Sequence, residues 1–227
     1  MNLRDREVSL FVNKLRKSLS NYKELLIAIN NKRNERVLES MLVEQFILST
    51  TILWEAFIND LFVAYILMSP RHSLSAIKTR VLQSIKNKHG DMVLRYLKLR
   101  FPVKMNKAKV IGLHDQKGWN ITASNASELR DLANRLLASK HAKKFSLTAE
   151  DSECYDFLFN LRNYLSHYSI LSRKKLKLSI GNINSNSNAI LKGNLRQIGP
   201  YLKYKNRAGE SRAEFMVNRL VDLVQKL

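Results

Sequence analysis

The feature that most constrains the fold is a 32-residue segment, residues 37–68, that contains neither Lys nor Arg. The whole chain of 227 residues carries 39 Lys and Arg against 19 Asp and Glu, a formal net charge of +20. A segment without Lys or Arg in so basic a chain is typical of an interior element, because Lys and Arg are seldom fully buried. Its length and its apolar residues predict a long buried helix over 37–68, which Pro70 ends.

The rest of the chain is also patterned for helices. Apolar residues recur at helical spacing over 3–30 and 211–226, and Thr148 is placed to cap a helix over 148–171. Only seven Gly and three Pro occur, which favours long helices with few tight turns. There is no internal repeat and no long linker. We therefore predict an all-α helical bundle that forms a single domain, 1–227.

Shorter elements are predicted from local signals. Ser124 or Ser127 is placed to cap a helix that runs to about Ser139. Residues 180–200, rich in Asn, Ser and Gly, are predicted to form a loop that can include one helical turn.

The net charge predicts an anionic partner, either nucleic acid or an anionic membrane surface. The charge is unevenly spread, since residues 171–209 contain nine Lys and Arg and no acid. The alternative is a solvated basic surface without such a partner, but the uneven distribution favours a binding surface.

The sequence predicts neither a membrane span nor an export signal. The most apolar stretch, residues 41–68, is interrupted by Glu44, Glu55, Asn59 and Asp60, so it never reaches about 18 clean apolar residues. The N-terminal residues are charged and lack an apolar signal core. A single Cys allows no intrachain disulfide, which fits a reducing compartment. We therefore expect a cytoplasmic protein that does not bind a membrane.

The helix predicted over 148–171 has an unusual outward face. Its apolar side chains form a core stripe at about 100° per residue, made of Cys154, Phe157, Leu158, Leu161, Leu165 and Tyr168. The outward face combines aromatic and reactive groups, namely Tyr155, Phe159, Arg162, Asn163, Ser166 and His167. A solvated face would carry Lys and Glu instead. The mixture predicts either a face that packs against a partner and keeps a polar cleft, or packing of Phe159 against another helix of this chain.

Two segments carry a resemblance to a known family. Arg162-Asn163-Tyr164-Leu165-Ser166-His167 resembles the Arg-x4-His signature of the HEPN superfamily, in which Asn or Asp often follows the Arg. Residues 53–61, LWEAFINDL, resemble the buried second helix of HEPN domains from abortive-infection and related defence systems. The order also matches, with the long buried helix first and the motif helix late. The resemblance covers about 37–175, and the two terminal helices would complete the bundle.

The resemblance implies a homodimeric endoribonuclease that needs no metal, with Arg162 and His167 as its catalytic pair. The 2′-hydroxyl of RNA is the nucleophile, so a His can transfer protons and a guanidinium can hold the phosphoryl oxygens. The products would be a 2′,3′-cyclic phosphate and a 5′-hydroxyl. Similar proteins act as toxins or antiphage effectors, so a cognate antitoxin or regulatory protein is a candidate partner besides RNA. The two motif helices would face each other, so that a site could combine residues of both chains.

Glu55 is expected to support this site. One side of the long helix is polar and carries Glu44, Thr51, Glu55 and Asn59. Buried acids need partners, and Arg162 is the partner expected for Glu55, which would fix the guanidinium for phosphate. The alternative is an ordinary structural ion pair. Asn163 and Ser166, on the outward face, complete the predicted catalytic set.

A basic cluster follows the motif helix directly and consists of Arg173, Lys174, Lys175 and Lys177. Because no acid lies near it in the sequence, we predict that it grips RNA phosphates beside the cleft. The alternative is a helix C-terminus whose cations complement the dipole.

Neither a metal nor another cofactor is expected. His72, His89, His114 and His141 are not spaced as a ligand pair, Cys154 has no Cys neighbour, and no Gly-rich phosphate loop occurs. Two other functions remain open: a non-catalytic HEPN module that binds RNA or nucleotide or serves as a helical partner subunit, and a basic adaptor for an acidic protein. The intact Arg and His of the motif favour the enzyme.

Overall fold

The computed structural model describes residues 2–99, 105–114, 121, 123–182, 189–191 and 193–227. Within these residues the chain is helical, and β pairing is limited to one antiparallel bridge between Lys205 and Ser211. The all-α class predicted from the sequence is confirmed. The α-helices are, in chain order, α1 (Leu3–Ile29), α2 (Glu35–Met68), α3 (Pro70–His89), α4 (Asp91–Leu94), α5 (Lys107–His114), α6 (Ala126–Leu136), α7 (Ser139–Ala142), α8 (Ala149–His167), α9 (Ile170–Asn182), α10 (Ile198–Lys203) and α11 (Arg212–Lys226), and 3-10 turns lie at Lys143–Phe145 and Ala189–Leu191.

Helix α2 is the centre of the bundle, as its lack of Lys and Arg predicts. It contacts α1, α8, α10, α5, α3 and α11. Helix α1 lies antiparallel to it, because Phe11 stacks on Phe57 at 4.5 Å between ring centroids while Tyr22 stacks on Phe46 at 4.3 Å. Residues 61–66 are buried without exception, so this end of α2 is covered on every side. The predicted bounds, 37–68, agree with Glu35–Met68 to within two residues.

The expectation that polar residues exclude a membrane span in this helix is too strong. By length and composition alone, α2 could cross a membrane. However, 61% of its most apolar 18-residue window is buried inside the bundle. The core helix of a folded domain shows the same combination of length, composition and burial, so this helix is weak evidence for a membrane protein.

The motif helix is shorter than the sequence predicts. Helix α8 begins as expected, since the Thr148 side chain accepts a hydrogen bond from the Asp151 backbone N–H. It ends at His167 and not near residue 171, because Tyr168 adopts a left-handed backbone with φ of +46°. Ser169 then starts α9, and its hydroxyl accepts from the Ser172 N–H at 3.1 Å. The predicted 148–171 helix is therefore two helices.

Helices α8 and α9 pack against each other as a hairpin, and Asn160 donates to the Ser179 hydroxyl at 2.6 Å. Helix α9 extends to Asn182 and α10 begins at Ile198, so the loop predicted over 180–200 is partly helical. The cap of α6 is Asn125, which accepts from the Glu128 N–H at 2.8 Å, and not Ser124 or Ser127.

Candidate active site

The contact expected between Arg162 and Glu55 is present. Helix α8 packs on α2 so that Arg162 Nε lies 3.2 Å from Glu55 Oε1. The two side chains are 31% and 29% exposed, so the pair borders solvent. Arg162 Nη1 also donates to Asn163 Oδ1 at 3.1 Å. Within the described residues the Nε N–H is not aligned with an acceptor, so the pair with Glu55 is held by charge and not by a well-formed hydrogen bond.

The folded protein destabilises the charged form of Glu55. Burial raises its pKa above the ordinary Glu value, and the neighbouring Arg162 guanidinium lowers it, with a net rise. Desolvation of the charge therefore outweighs the attraction of the cation at this position. An ion pair of this kind is poor evidence for a stabilising role, so its contribution to the site is better sought in how it orients Arg162.

A cavity of about 200 Å³ adjoins this pair. Its walls come from α2, α8 and the chain before α6, and are formed by Glu55, Ile58, Ile121, Ala123, Tyr155, Phe159 and Arg162. Asn59 of α2 positions the outer wall, since its Oδ1 accepts from the Ile121 N–H at 2.9 Å. Two polar residues of α2 therefore contribute to this site. Glu55 pairs with the Arg162 guanidinium, and Asn59 binds the backbone at Ile121.

Tyr155 does not lie on an exposed face, contrary to the sequence-based assignment. It is buried, its hydroxyl donates to the Ala123 carbonyl at 3.0 Å, and its ring packs edge-on against Trp54. Burial also raises the pKa of its phenol. The helical angle alone placed this residue outside, but the loop before α6 covers it. Phe159, one turn later, keeps part of its surface exposed and lines two cavities.

The second cavity, of about 390 Å³, lies on the far side of Phe159 between α8 and α9. It is largely polar and includes Asp156, Asn160, Asn163, Lys175 and Ser179. Burial raises the pKa of the Asp156 carboxyl, which accepts from the Ala126 N–H at 2.6 Å. Asn163 therefore links the two cavities, because it binds Arg162 on one side and lines the polar cavity on the other.

His167 and Ser166 are exposed in the last turn of α8. Among the described residues, neither side chain forms a hydrogen bond or ion pair with the Arg162–Glu55 pair. Arg162 and His167 are five residues apart, about 140° around the helix. The structure thus gathers Arg162, Glu55 and Asn163 into one cluster and leaves His167 and Ser166 outside it.

Helix α9 divides the predicted phosphate-binding cluster between two surfaces. Lys175 lines the polar cavity beside Asn163, whereas Arg173 lies on the other side and donates to the Arg196 carbonyl at 3.0 Å. Lys177 follows Arg173 by about one turn, and Lys174 lies between Arg173 and Lys175 in angle around the helix. All four are exposed, and none forms an ion pair with an acid in the described residues.

Tyr168 does not belong to the core stripe assigned from the sequence. It is 61% exposed because the chain leaves the helix there, and its hydroxyl donates to Glu44 Oε2 at 3.2 Å. Sequence reasoning missed this residue and its neighbour Tyr164 as candidates for a binding surface. An available signal was Ser169, a favourable N-cap residue directly after Tyr168.

In the part of the chain that the structure describes, no group of three or more His, Cys, Asp or Glu side chains is placed to hold a metal ion. Cys154 is buried, and burial raises the pKa of its thiol to about 12. It therefore packs as a small apolar side chain, as its place on the core stripe predicts.

No family model, no curated protein and no solved structure matches this chain. The resemblance to HEPN domains rests on the motif and on the helices that carry it.

Proposed function

We propose that this chain is a HEPN-type endoribonuclease that cuts RNA without a metal ion. The observation that carries the proposal is that contacts hold one side of the Arg162 guanidinium and leave the other side open. Nε is paired with Glu55 and Nη1 with Asn163, while Nη2 makes no hydrogen bond within the described residues. A guanidinium held on one side and open on the other can offer its free N–H groups to phosphoryl oxygens.

The chemistry needs proton transfer in addition to charge. The 2′-oxygen attacks the adjacent phosphorus as a base removes its proton, and the bond to the 5′-oxygen breaks as an acid supplies a proton there. His167 is the group that serves these steps, and Arg162 stabilises the extra charge on the phosphoryl oxygens. The products are a 2′,3′-cyclic phosphate and a 5′-hydroxyl. Ser166 lies in the same turn as His167 and is proposed to contact the strand.

The position of His167 supports a site made by two copies of the chain. One helix separates His167 and Arg162 by about 140°, so a single α8 does not present them side by side. In a homodimer that packs through the outward face of α8, the His of one chain can face the Arg of the other. Phe159 lies on this face, whereas the burial of Tyr155 removes that residue from the proposed interface.

The proposed setting is the cytoplasm, where the protein would act on RNA as a toxin or antiphage effector, under control of an antitoxin or regulatory protein. A non-catalytic helical module that binds RNA or nucleotide, or a helical partner subunit, is the second candidate. One observation favours it: within the described residues, no side chain or backbone group is hydrogen-bonded to the His167 imidazole to orient it.

The decisive experiment is incubation of the purified protein with total RNA in EDTA. We expect the wild type to cut RNA and to leave 2′,3′-cyclic phosphates at the 3′ ends of the fragments. These 3′ ends should resist enzymatic 3′-end labelling until the phosphate is removed. His167→Ala should be inactive, and the control His72→Ala, at an exposed histidine of α3, should cut normally. Equal cutting by the wild type and His167→Ala, or activity that EDTA abolishes and magnesium restores, would overturn the proposal.

A further inference from the structure

A groove of about 680 Å³ lies at the C-terminal end of α8, where Tyr164 and Tyr168 line it. Tyr164 is two residues from Arg162 and therefore about 160° away from it around the helix. Four cations from separate parts of the chain line it: Arg36 in the first turn of α2, Arg173 in α9, Arg196 before α10, and Lys203 at the end of α10. Because these residues are distant in sequence, only the fold brings their charges together.

Most of this positive charge is not neutralised. Among the described residues no acid forms an ion pair with Arg36, Arg173 or Arg196, whereas Lys203 is paired with Glu39 at 2.8 Å. The acid in the lining, Glu44, has both oxygens engaged. Its Oε1 accepts from the Gly199 N–H at 2.8 Å, and its Oε2 accepts from the Tyr168 hydroxyl at 3.2 Å.

Two tyrosines lie among these cations. Tyr168 and Tyr164 line the groove with ring centroids 5.4 Å apart and an interplanar angle of 57°, so the rings do not stack flat on each other. Tyr168 is 61% exposed, and its left-handed backbone is unusual for a bulky residue. Strained conformations of this kind cluster at functional sites, and the bond to Glu44 holds the exposed ring in place.

We propose that this groove binds single-stranded RNA. Phosphates contact Arg36, Arg173 and Arg196, and a base stacks on the ring of Tyr168. An exposed aromatic ring among arginines that form no ion pair with a described acid is the combination that binds single strands, because an unpaired base can lie flat on the ring. A duplex keeps its bases stacked inside and gains only the phosphate contacts. Since His167 directly precedes Tyr168, a strand held here passes the proposed proton-transfer group.

The assignment of the strand as substrate rests on the proposed nuclease function, but its binding can be measured without cleavage. The probe is a short fluorescent 2′-O-methyl oligouridine, which lacks the 2′-hydroxyl and cannot be cut. Affinity for the full-length protein is measured by fluorescence anisotropy in EDTA over a series of salt concentrations, with an RNA duplex of equal length as competitor.

The first pair of variants tests charge. Arg36→Glu with Arg196→Glu reverses two groove cations, and Arg16→Glu with Lys17→Glu makes the same change in net charge on the exposed side of α1. Losing two phosphate contacts on a single strand should flatten the salt slope by about 1.4, at about 0.7 per contact. The α1 control should keep the wild-type slope. An equal loss in both variants would mean diffuse attraction by net charge and would overturn the groove.

The second pair tests stacking. Tyr168→Asn removes the ring, and Asn tolerates the left-handed backbone, so the end of α8 should be preserved. Tyr168→Phe keeps the ring and loses only the hydrogen bond to Glu44. We expect Tyr168→Asn to bind roughly fivefold to a hundredfold more weakly and Tyr168→Phe to bind nearly as the wild type does. Wild-type affinity in Tyr168→Asn, or competition by the duplex as strong as by a single strand, would overturn the assignment. Circular dichroism confirms that each variant is folded.

The two proposals fail in different ways. If the wild type binds the uncleavable strand through the groove but leaves unmodified RNA intact, the groove stands and the nuclease proposal is wrong. If the wild type cuts RNA while both groove variants bind the strand normally, the nuclease proposal stands and the groove is wrong.

Discussion

Arg162 of α8 and Glu55 of α2 meet across the junction of two helices, with Nε 3.2 Å from Oε1. The contact joins the central helix of the bundle to the helix that carries the HEPN-like motif. The pair is about one-third exposed and lies against a cavity, which is where an orienting contact would be needed and where a purely structural ion pair contributes little.

Glu55→Gln should therefore reduce RNA cleavage without reducing stability. Gln keeps the shape but removes the charge that holds the guanidinium, and misplacing that group should lower kcat/KM on the order of 10- to 100-fold. The measurement is the cleavage rate together with the thermal midpoint, and the exposed Glu24→Gln is the control. A large loss of stability with normal cleavage would favour the structural role.

The same substitution has a predictable pH dependence. The pKa of Glu55 is raised in the folded protein, so ionising it costs stability as pH rises through the interval between the unfolded value, about 4.3, and the folded value. Glu55→Gln removes this cost. We expect a higher thermal midpoint than the wild type at pH 7, and no difference at a pH below the unfolded value.

Mixing inactive variants should show whether Arg162 and His167 of one site come from the same chain or from two chains. His167→Ala and Arg162→Ala should each lower the cleavage rate by about 100-fold or more. Arg162→Lys should recover little, because a point charge does not replace the planar fork. Co-refolding the two Ala variants should restore part of the activity if each site combines residues of both chains. A mixture as inactive as its components would mean that each chain supplies its own pair.

Phe159 and Tyr155 should respond differently to the same substitution. Phe159→Glu should yield a monomer that keeps its helical circular dichroism, because this side chain is only partly buried within the chain. Tyr155→Glu should unfold the protein, since it places a charge in a buried site beside Trp54. Light scattering coupled to gel filtration measures the mass. A fully active monomer would exclude the composite site.

Neutralising the whole basic cluster that follows the motif helix should weaken RNA binding, because each lost cation removes a phosphate contact. Changing Arg173, Lys174, Lys175 and Lys177 to Ala should flatten the salt slope by up to about 2.8, at about 0.7 per contact. The control removes four cations of α3, namely Arg71, Lys78, Lys86 and Lys88. A slope that changes only in the control would place the RNA on α3 instead.

Asp151 should be the acid on which stability most depends. It is buried, and it lies 2.8 Å from both Arg219 and Lys226 of α11. Burial raises the pKa of this carboxyl, but its hydrogen bonds and the two cations lower the pKa by a larger amount. The net pKa is therefore below the ordinary Asp value. Its contribution is present at neutral pH and lost as pH falls through the folded pKa. Asp151→Asn should lower the free energy of unfolding by about 1.5–3 kcal/mol at pH 7, measured by urea denaturation.

The elements that the sequence predicts well are those set by local pattern. The bounds of α2 follow from its apolar residues, the start of α8 follows from Thr148, and the Arg162–Glu55 contact follows from a buried acid that needs a cation. Each of these depends on one helix or on one charge that needs a partner.

The errors come from contacts between distant parts of the chain. The helical angle of Tyr155 gives no hint that the loop at Ala123 will cover it. The break at Tyr168 lacks the Gly or Pro that usually marks a helix end, and the hydrogen bond to Glu44 that accompanies it spans 124 residues. The groove takes its cations from three helices and a loop, so no sequence window contains it.

The burial of α2 has a consequence for synthesis of the protein. Helix α1 is already present when α2 emerges from the ribosome, but α8, which covers another side, begins about 80 residues after α2 ends. At 5–20 residues per second, the uncovered apolar surface persists for roughly 4–16 s. During that interval the nascent chain exposes a helix long and apolar enough for a bilayer. From this order of helices we expect chaperones to bind α2 before the bundle closes.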